Sequence, residues 1–170
     1  MLDRKCKLLE ILILDMTKRY SDLENDFNLS NESKEEGKAF LETIIGAAIF
    51  YLPGGKKLFN NQISKDAWNS GKPKSKLTKE HFYPRKWSAK QLLTQDVIHF
   101  KGDGETLKQL YLNKYGLYNL VTSKENTSLR ELQKNFDEYT SWDELYTDKE
   151  INIKLLNKGF DEIKKGRKIE

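Results

Sequence analysis

Over residues 2–23 the apolar positions Leu8, Leu9, Leu12 and Met16 recur at helical spacing, with Ile11 and Ile13 widening the face, and predict an amphipathic helix. "NLSNES" breaks that pattern with cap-type residues, and Ser30 or Ser33 opens a second helix. This helix runs to about Tyr51 and stops at "LPGG". Its second half, Phe40, Leu41, Ile44, Ile45, Ala47, Ala48 and Ile49, is apolar nearly all round and is expected to be the most buried helix, with Gly46 allowing close approach. From Gly54 to Lys76 no long periodicity appears, and "NSGKPKSK" is a basic, turn-rich loop. "KLTKEHFYP" alternates loosely and predicts a short strand ended by Pro84. "SAKQLLTQDVI" predicts a short helix capped by Ser88, and "GDGETLKQLYLNKYG" another that begins near Gly104 and closes at Gly116. "LYNLV" is β-prone, and Ser123 is a good N-cap for a helix with the face Leu129, Leu132, Phe136 and Tyr139. A last helix is expected from Thr147, with Thr147 and Glu150 as a capping box and Ile151, Leu155, Phe160 and Ile163 as its face.

These elements make the chain mainly helical, of the α+β class, with two short strands around residues 77–83 and 117–122. A two-stranded ribbon is marginal alone and needs a helix packed on it; the helix after Ser123 is the adjacent candidate. The expected organisation is a helical scaffold over residues 1–70, a central core over 71–140 and a C-terminal helix over 141–170.

Composition changes this picture in two places. The chain has 170 residues, with 37% hydrophobic and 33% charged positions, enough for one core under a heavily charged surface. Its net charge of +4 says little by itself, but the charge is concentrated. Between residues 72 and 90 stand Lys72, Lys74, Lys76, Lys79, Arg85, Lys86 and Lys90 against Glu80 alone. The single cysteine, Cys6, excludes an intrachain disulfide and any zinc site built from several thiolates, and reads as an inert residue in a reducing interior. "LLEILIL" is broken by Glu10 and reads as a core helix rather than a signal peptide, and "FLETIIGAAIFYL" is too short and interrupted to span a bilayer. A cytoplasmic location, in a bacterial or phage-infected cell, is the expectation; the excess of 25 lysines over 5 arginines fits an AT-rich genome.

Two amides remain to be explained. Asn119 interrupts the apolar run Leu117 to Val121, and Asn126 follows where a helix begins. Asn favours neither strands nor helix interiors. Upstream, Glu80 and His81 lie in the middle of the basic segment. The order "EH" at 80–81, the Asn of "YNLVT" at 119 and "EN" at 125–126 resembles the HNH endonuclease family, the His-Me finger or ββα-metal nucleases. The resemblance covers about residues 76–135 and leaves residues 1–70 unexplained. It implies an HNH-like ββα-metal motif packed among helices and a metal-dependent endonuclease that hydrolyses DNA, of the restriction, homing or phage type. By the same resemblance Glu80 and Asn126 would hold a divalent cation, Mg2+ or alternatively Mn2+, His81 would be the general base, and Asn119 would orient its imidazole or brace its loop. Three features depart from the family pattern: the 38 residues from His81 to Asn119, the absence of zinc-binding cysteine pairs, and Asn rather than His at the final position.

The chemistry of the residues is compatible with that implication. A histidine of near-neutral pKa can take a proton from water, and a hard cation needs only a few oxygen ligands from the protein. Lysine and arginine beside such a site supply sequence-independent affinity for phosphates; Lys79, Arg85, Lys86, Lys124 and Arg130 are the candidates. Tyr83 and Trp87 stack on bases or simply pack. His99 and the tryptophans 68, 87 and 142 read as structural, and Glu125 as a solvent-facing residue near a helix N-terminus. DNA is the expected partner, no membrane is, and a homodimer would suit an enzyme that cuts both strands. Two other classes stay open: a basic nucleic-acid-binding module or degenerate nuclease fold without catalysis, and a protein adaptor that docks through residues 34–51.

Overall fold

The computed structural model describes residues 1–132 and 155–164. The fold is mainly helical, with a small four-stranded mixed sheet. The elements are α1 (Leu2–Asn25), α2 (Asn31–Phe50), β1 (Phe59–Ser64), α3 (Lys65–Asn69), β2 (Thr78–His81), α4 (Arg85–Thr94), α5 (Glu105–Leu110), β3 (Tyr118–Val121), α6 (Ser123–Leu132), β4 (Leu155–Asn157) and α7 (Phe160–Lys164). They fall into two compact units that interleave along the chain. One holds residues 1–54 and 83–116, the other residues 55–82 and 117–170. The division therefore differs from the expected boundaries at 70 and 140: β1 belongs with the sheet, and the long segment between β2 and β3 joins the N-terminal helices.

In the helical unit α1 buries Cys6, Leu9, Glu10 and Ile13. The face expected from Leu8 and Leu12 is turned outward instead, with Leu8 59% exposed. The reason lies in Glu10, a charged residue inside the buried stripe. Its carboxylate accepts the backbone N–H groups of Lys101 (3.1 Å), Gly102 (2.8 Å) and Leu107 (3.1 Å), which satisfies the loop before α5 and the start of that helix. Gly104, at φ +86°, lets that loop touch α1: a Cβ there would lie 2.3 Å from the Lys7 nitrogen. Burial, then the Asp3 carboxylate, pushes the Cys6 thiol up to about 11, which disfavours the reactive thiolate.

Ser30 caps α2 by accepting the Ser33 N–H, as its position in the sequence indicates. The helix is not buried all round: Leu41, Ile45 and Ile49 face inward, whereas Phe40 is 66% exposed. Gly46 does mark a close approach, since a Cβ would meet the Arg85 carbonyl oxygen at 3.1 Å. Helix α4 begins at Arg85 after Pro84, three residues before the expected cap. Ser88 lies inside it, and its buried hydroxyl has no partner among the described residues. After α5 the chain widens into a π-helical turn, Tyr111–Tyr115, closed by Gly116 N–H to the Tyr111 carbonyl (2.8 Å).

The sheet has strand order β2-β3-β1-β4. The two expected strands are β2 and β3, paired antiparallel, and two more join them. Strand β1 runs parallel to β3 and antiparallel to β4. Of the helix expected from Thr147, residues 155–157 form a strand, whereas Phe160–Lys164 is helical with Ile163 buried; residues 147–154, like Phe136, Tyr139 and Trp142, lie outside the described residues. No described helix is long and apolar enough to cross a membrane.

Replacing Gly104 by Ala should destabilise the protein by about 2–4 kcal/mol, because the new Cβ meets both a left-handed backbone and the chain of α1. Urea denaturation followed by circular dichroism measures this; a loss below about 0.5 kcal/mol would contradict the contact.

Candidate functional site

Strand β3 is buried along all four residues, with β2 on one edge and β1 on the other. Side chains alternate along a strand, and directly paired residues share a face. The register sets Glu80 opposite Asn119 and His81 opposite Tyr118. Glu80 and Asn119 therefore lie side by side on one face, and both are buried, at 4% and 3% exposure. His81 alternates to the other face, with Lys79 and Tyr118, so the register places Asn119 beside the carboxylate rather than beside the imidazole.

On the other edge of β3 the polar row continues. Phe59 pairs with Tyr118 and Ile63 with Leu120, so Asn60, Asn61 and Gln62 bulge opposite the single residue Asn119. Asn61 has φ 54°, a left-handed conformation that Asn tolerates better than most residues. The Asn60 amide donates to Gln62 Oε1 (3.0 Å) and to Asn119 Oδ1 (3.4 Å). A buried carboxylate, a buried amide and two half-buried amides thus cross three strands on one face. Among the described residues no group of three or more His, Cys, Asp or Glu side chains gathers as a metal cluster. The row offers oxygen donors instead, the chemistry a hard divalent cation takes.

Helix α6 follows β3 after one residue and is fastened to the same face. Thr122 and Glu125 form a capping box: the Thr122 N–H donates to Glu125 Oε2 (2.7 Å), and the Glu125 N–H donates to Thr122 Oγ1 (3.2 Å). The helix therefore opens one residue earlier than a Ser123 cap implies. Glu125 does not face solvent. It is half-buried and accepts the hydroxyl of Ser64 (2.7 Å), which in turn caps α3 by accepting the Ala67 N–H (3.1 Å). Thr78 and Ser123 meet at 3.4 Å, and by alternation Thr78 shares its face with Glu80. Asn126 sits in the first turn, three residues before the fully buried Leu129, and its side chain makes no hydrogen bond among the described residues.

The basic candidates have several placements. Lys79 is exposed, with its ammonium 4.9 Å from the Tyr118 ring centre. Lys124 is exposed on the first turn of α6. In the helical unit Arg85 stacks over Phe50 (3.6 Å), and Lys86 reaches the buried Glu42 (3.6 Å). The side chain of Arg130 lies outside the described residues. Tyr83 and Trp87 stack on each other at 5.1 Å, with Lys114 over both. His99 is exposed on a short turn. The residues that sequence reasoning missed are Asn60, Gln62 and Ser64; the doubled Asn of "FNNQIS" was the available signal, since it breaks alternation where a bulge forms. The chain matches no protein-family model, no curated protein and no solved structure.

Glu125→Ala should cost about 1–3 kcal/mol, by removing the cap and leaving the buried Ser64 hydroxyl without its acceptor. Asn126→Ala should stay within about 0.5 kcal/mol, because no described residue hydrogen-bonds to its side-chain amide. Urea midpoints of the two variants check this, and equal losses would overturn the division between a structural Glu125 and an available Asn126.

Proposed function

We propose that the chain is a divalent-metal-dependent endonuclease of the HNH, ββα-metal type that hydrolyses phosphodiester bonds of DNA. The observation that carries this reading is the buried Glu80 set opposite Asn119 on two antiparallel strands that lead directly into a capped helix bearing Asn126. Glu80 and Asn126 are the residues that would hold the cation, Mg2+ or Mn2+, and Asn119 stands beside the carboxylate. The all-oxygen donor set suits such an ion. When bound, it supplies stabilisation of charge on the scissile phosphate. The protein's own groups do the rest. Lys124, on the first turn of α6, attracts the phosphate backbone, as Lys79 does from the opposite face of the sheet, and the capping box fixes the turn that carries Asn126. Histidine side chains can take a proton from water, and His81 is the candidate for that step.

A second reading, a nucleic-acid-binding protein without hydrolysis, is favoured by one observation: the register turns His81 away from the Glu80–Asn119 face.

Cleavage of supercoiled plasmid and of AT-rich genomic DNA, with magnesium, with manganese and with chelator, separates the two. The nuclease reading expects metal-dependent nicking or linearisation that falls at least about 100-fold in Glu80→Ala, Asn126→Ala and His81→Ala, with DNA binding retained. Wild-type cleavage by Glu80→Ala would overturn the metal site. Binding without cleavage by the wild-type protein on every DNA would make the second reading the correct one.

A further inference from the structure

On the opposite face of the same sheet, three lysines from three separate elements converge on one aromatic cluster. Phe59, Tyr118 and Phe160 pack together, with ring centres 5.7 and 5.9 Å apart. The Lys74 ammonium lies 3.4 Å from the Phe160 ring centre and 5.6 Å from that of Tyr118. Lys79 lies 4.9 Å from Tyr118, and Lys56 lies 5.0 Å from Phe160. Asp161 pairs with Lys56 at 2.9 Å, but among the described residues neither Lys74 nor Lys79 meets a carboxylate. Burial first, then the charges of Lys79 and Lys56, holds the Lys74 ammonium below its ordinary pKa, so the three groups feel one another. In addition, the Tyr118 hydroxyl is buried and has no hydrogen-bond partner among the described residues. Burial raises its pKa, which keeps it a neutral donor.

Gathering like charges costs free energy, and aromatic faces offset only part of it. A multiply oxygenated anion would offset the remainder. The ring faces also hold the lysine stems in place, which lowers the ordering cost of binding. We propose that Lys56, Lys74 and Lys79 form a phosphate site that seats a nucleic-acid phosphate, either a backbone phosphodiester or a terminal phosphomonoester. The site rests on the nucleic-acid reading above, but not on catalysis, since it uses the face opposite Glu80.

The test is binding in chelator, where no metal-dependent cleavage occurs. Fluorescence anisotropy of duplexes of about 20 base pairs, with and without 5′-phosphates, is followed from about 50 to 200 mM salt. The protein is wild type, the triple variant Lys56→Gln, Lys74→Gln, Lys79→Gln, the corresponding triple Arg variant, and a control triple, Lys7→Gln, Lys18→Gln, Lys101→Gln, of exposed lysines in the other unit. A backbone site flattens the slope of log K against log salt by about 2–3 in the site triple on both duplexes, while the Arg and control triples keep the wild-type slope within about 1. A terminal site shows the loss on the 5′-phosphorylated duplex alone. An unchanged slope in the site triple, an equal loss in the control triple, or no binding by the wild type would each overturn the proposal. Because the readout is binding without metal, a chain that binds through these lysines yet never cuts would leave the phosphate site standing and remove only the nuclease reading.

Discussion

The sheet unit depends on the burial of β3. Paired on both edges and buried at each of its four residues, this strand has no solvent to receive a polar side chain, yet it carries Asn119. A buried amide without partners costs of the order of 1–3 kcal/mol. The neighbouring strands are arranged around that need. Strand β1 bulges to bring Asn60 to the amide, and β2 sets Glu80 opposite it. What results is a polar row that crosses β3 between its buried apolar neighbours Tyr118, Leu120 and Val121. Such a row is an expensive way to build a stabilising sheet, and bulges of this kind are over-represented next to active sites.

A second fastening holds the helix that bears Asn126. Ser64 ends β1, caps α3 and donates to Glu125, while Glu125 caps α6. One carboxylate oxygen thus joins a strand end and two helix starts. In the helical unit Glu10 plays the corresponding part, binding three backbone N–H groups around the start of α5. Glu10 is fully buried and Glu125 half-buried, and each carboxylate ties backbone N–H to a helix start, whereas the cross-strand neighbour of Glu80 is the side chain of Asn119 on the same face.

Much of this was legible. Alternation and Pro84 located β2, the β-prone run located β3, and cap residues located the starts of α2 and α6 to within one residue. The failures have physical causes. Strand β1 was invisible because its bulge destroys the period of two. Glu125 looks solvent-facing in sequence because its partner Ser64 lies 61 residues away. The buried face of α1 was misjudged because a satisfied glutamate looks like a solvent residue until its loop is known. Glu80 and His81 look like a unit in sequence, whereas neighbours in a strand point to opposite faces. The lysine cluster on Phe160 depends on a short helix whose start, in sequence, looks like the middle of a longer one.

Two chemically distinct faces of one small sheet follow: oxygen donors on the side of α6, ammonium groups over aromatic rings on the other. The first face is the proposed cation site. Manganese titration followed by amide NMR tests it most directly, because a paramagnetic ion broadens only the resonances near it. The amides of residues 80, 119 and 126 and their strand neighbours should lose intensity first, and Glu80→Ala should abolish the effect. Broadening centred on other carboxylates, or unchanged by Glu80→Ala, would contradict it.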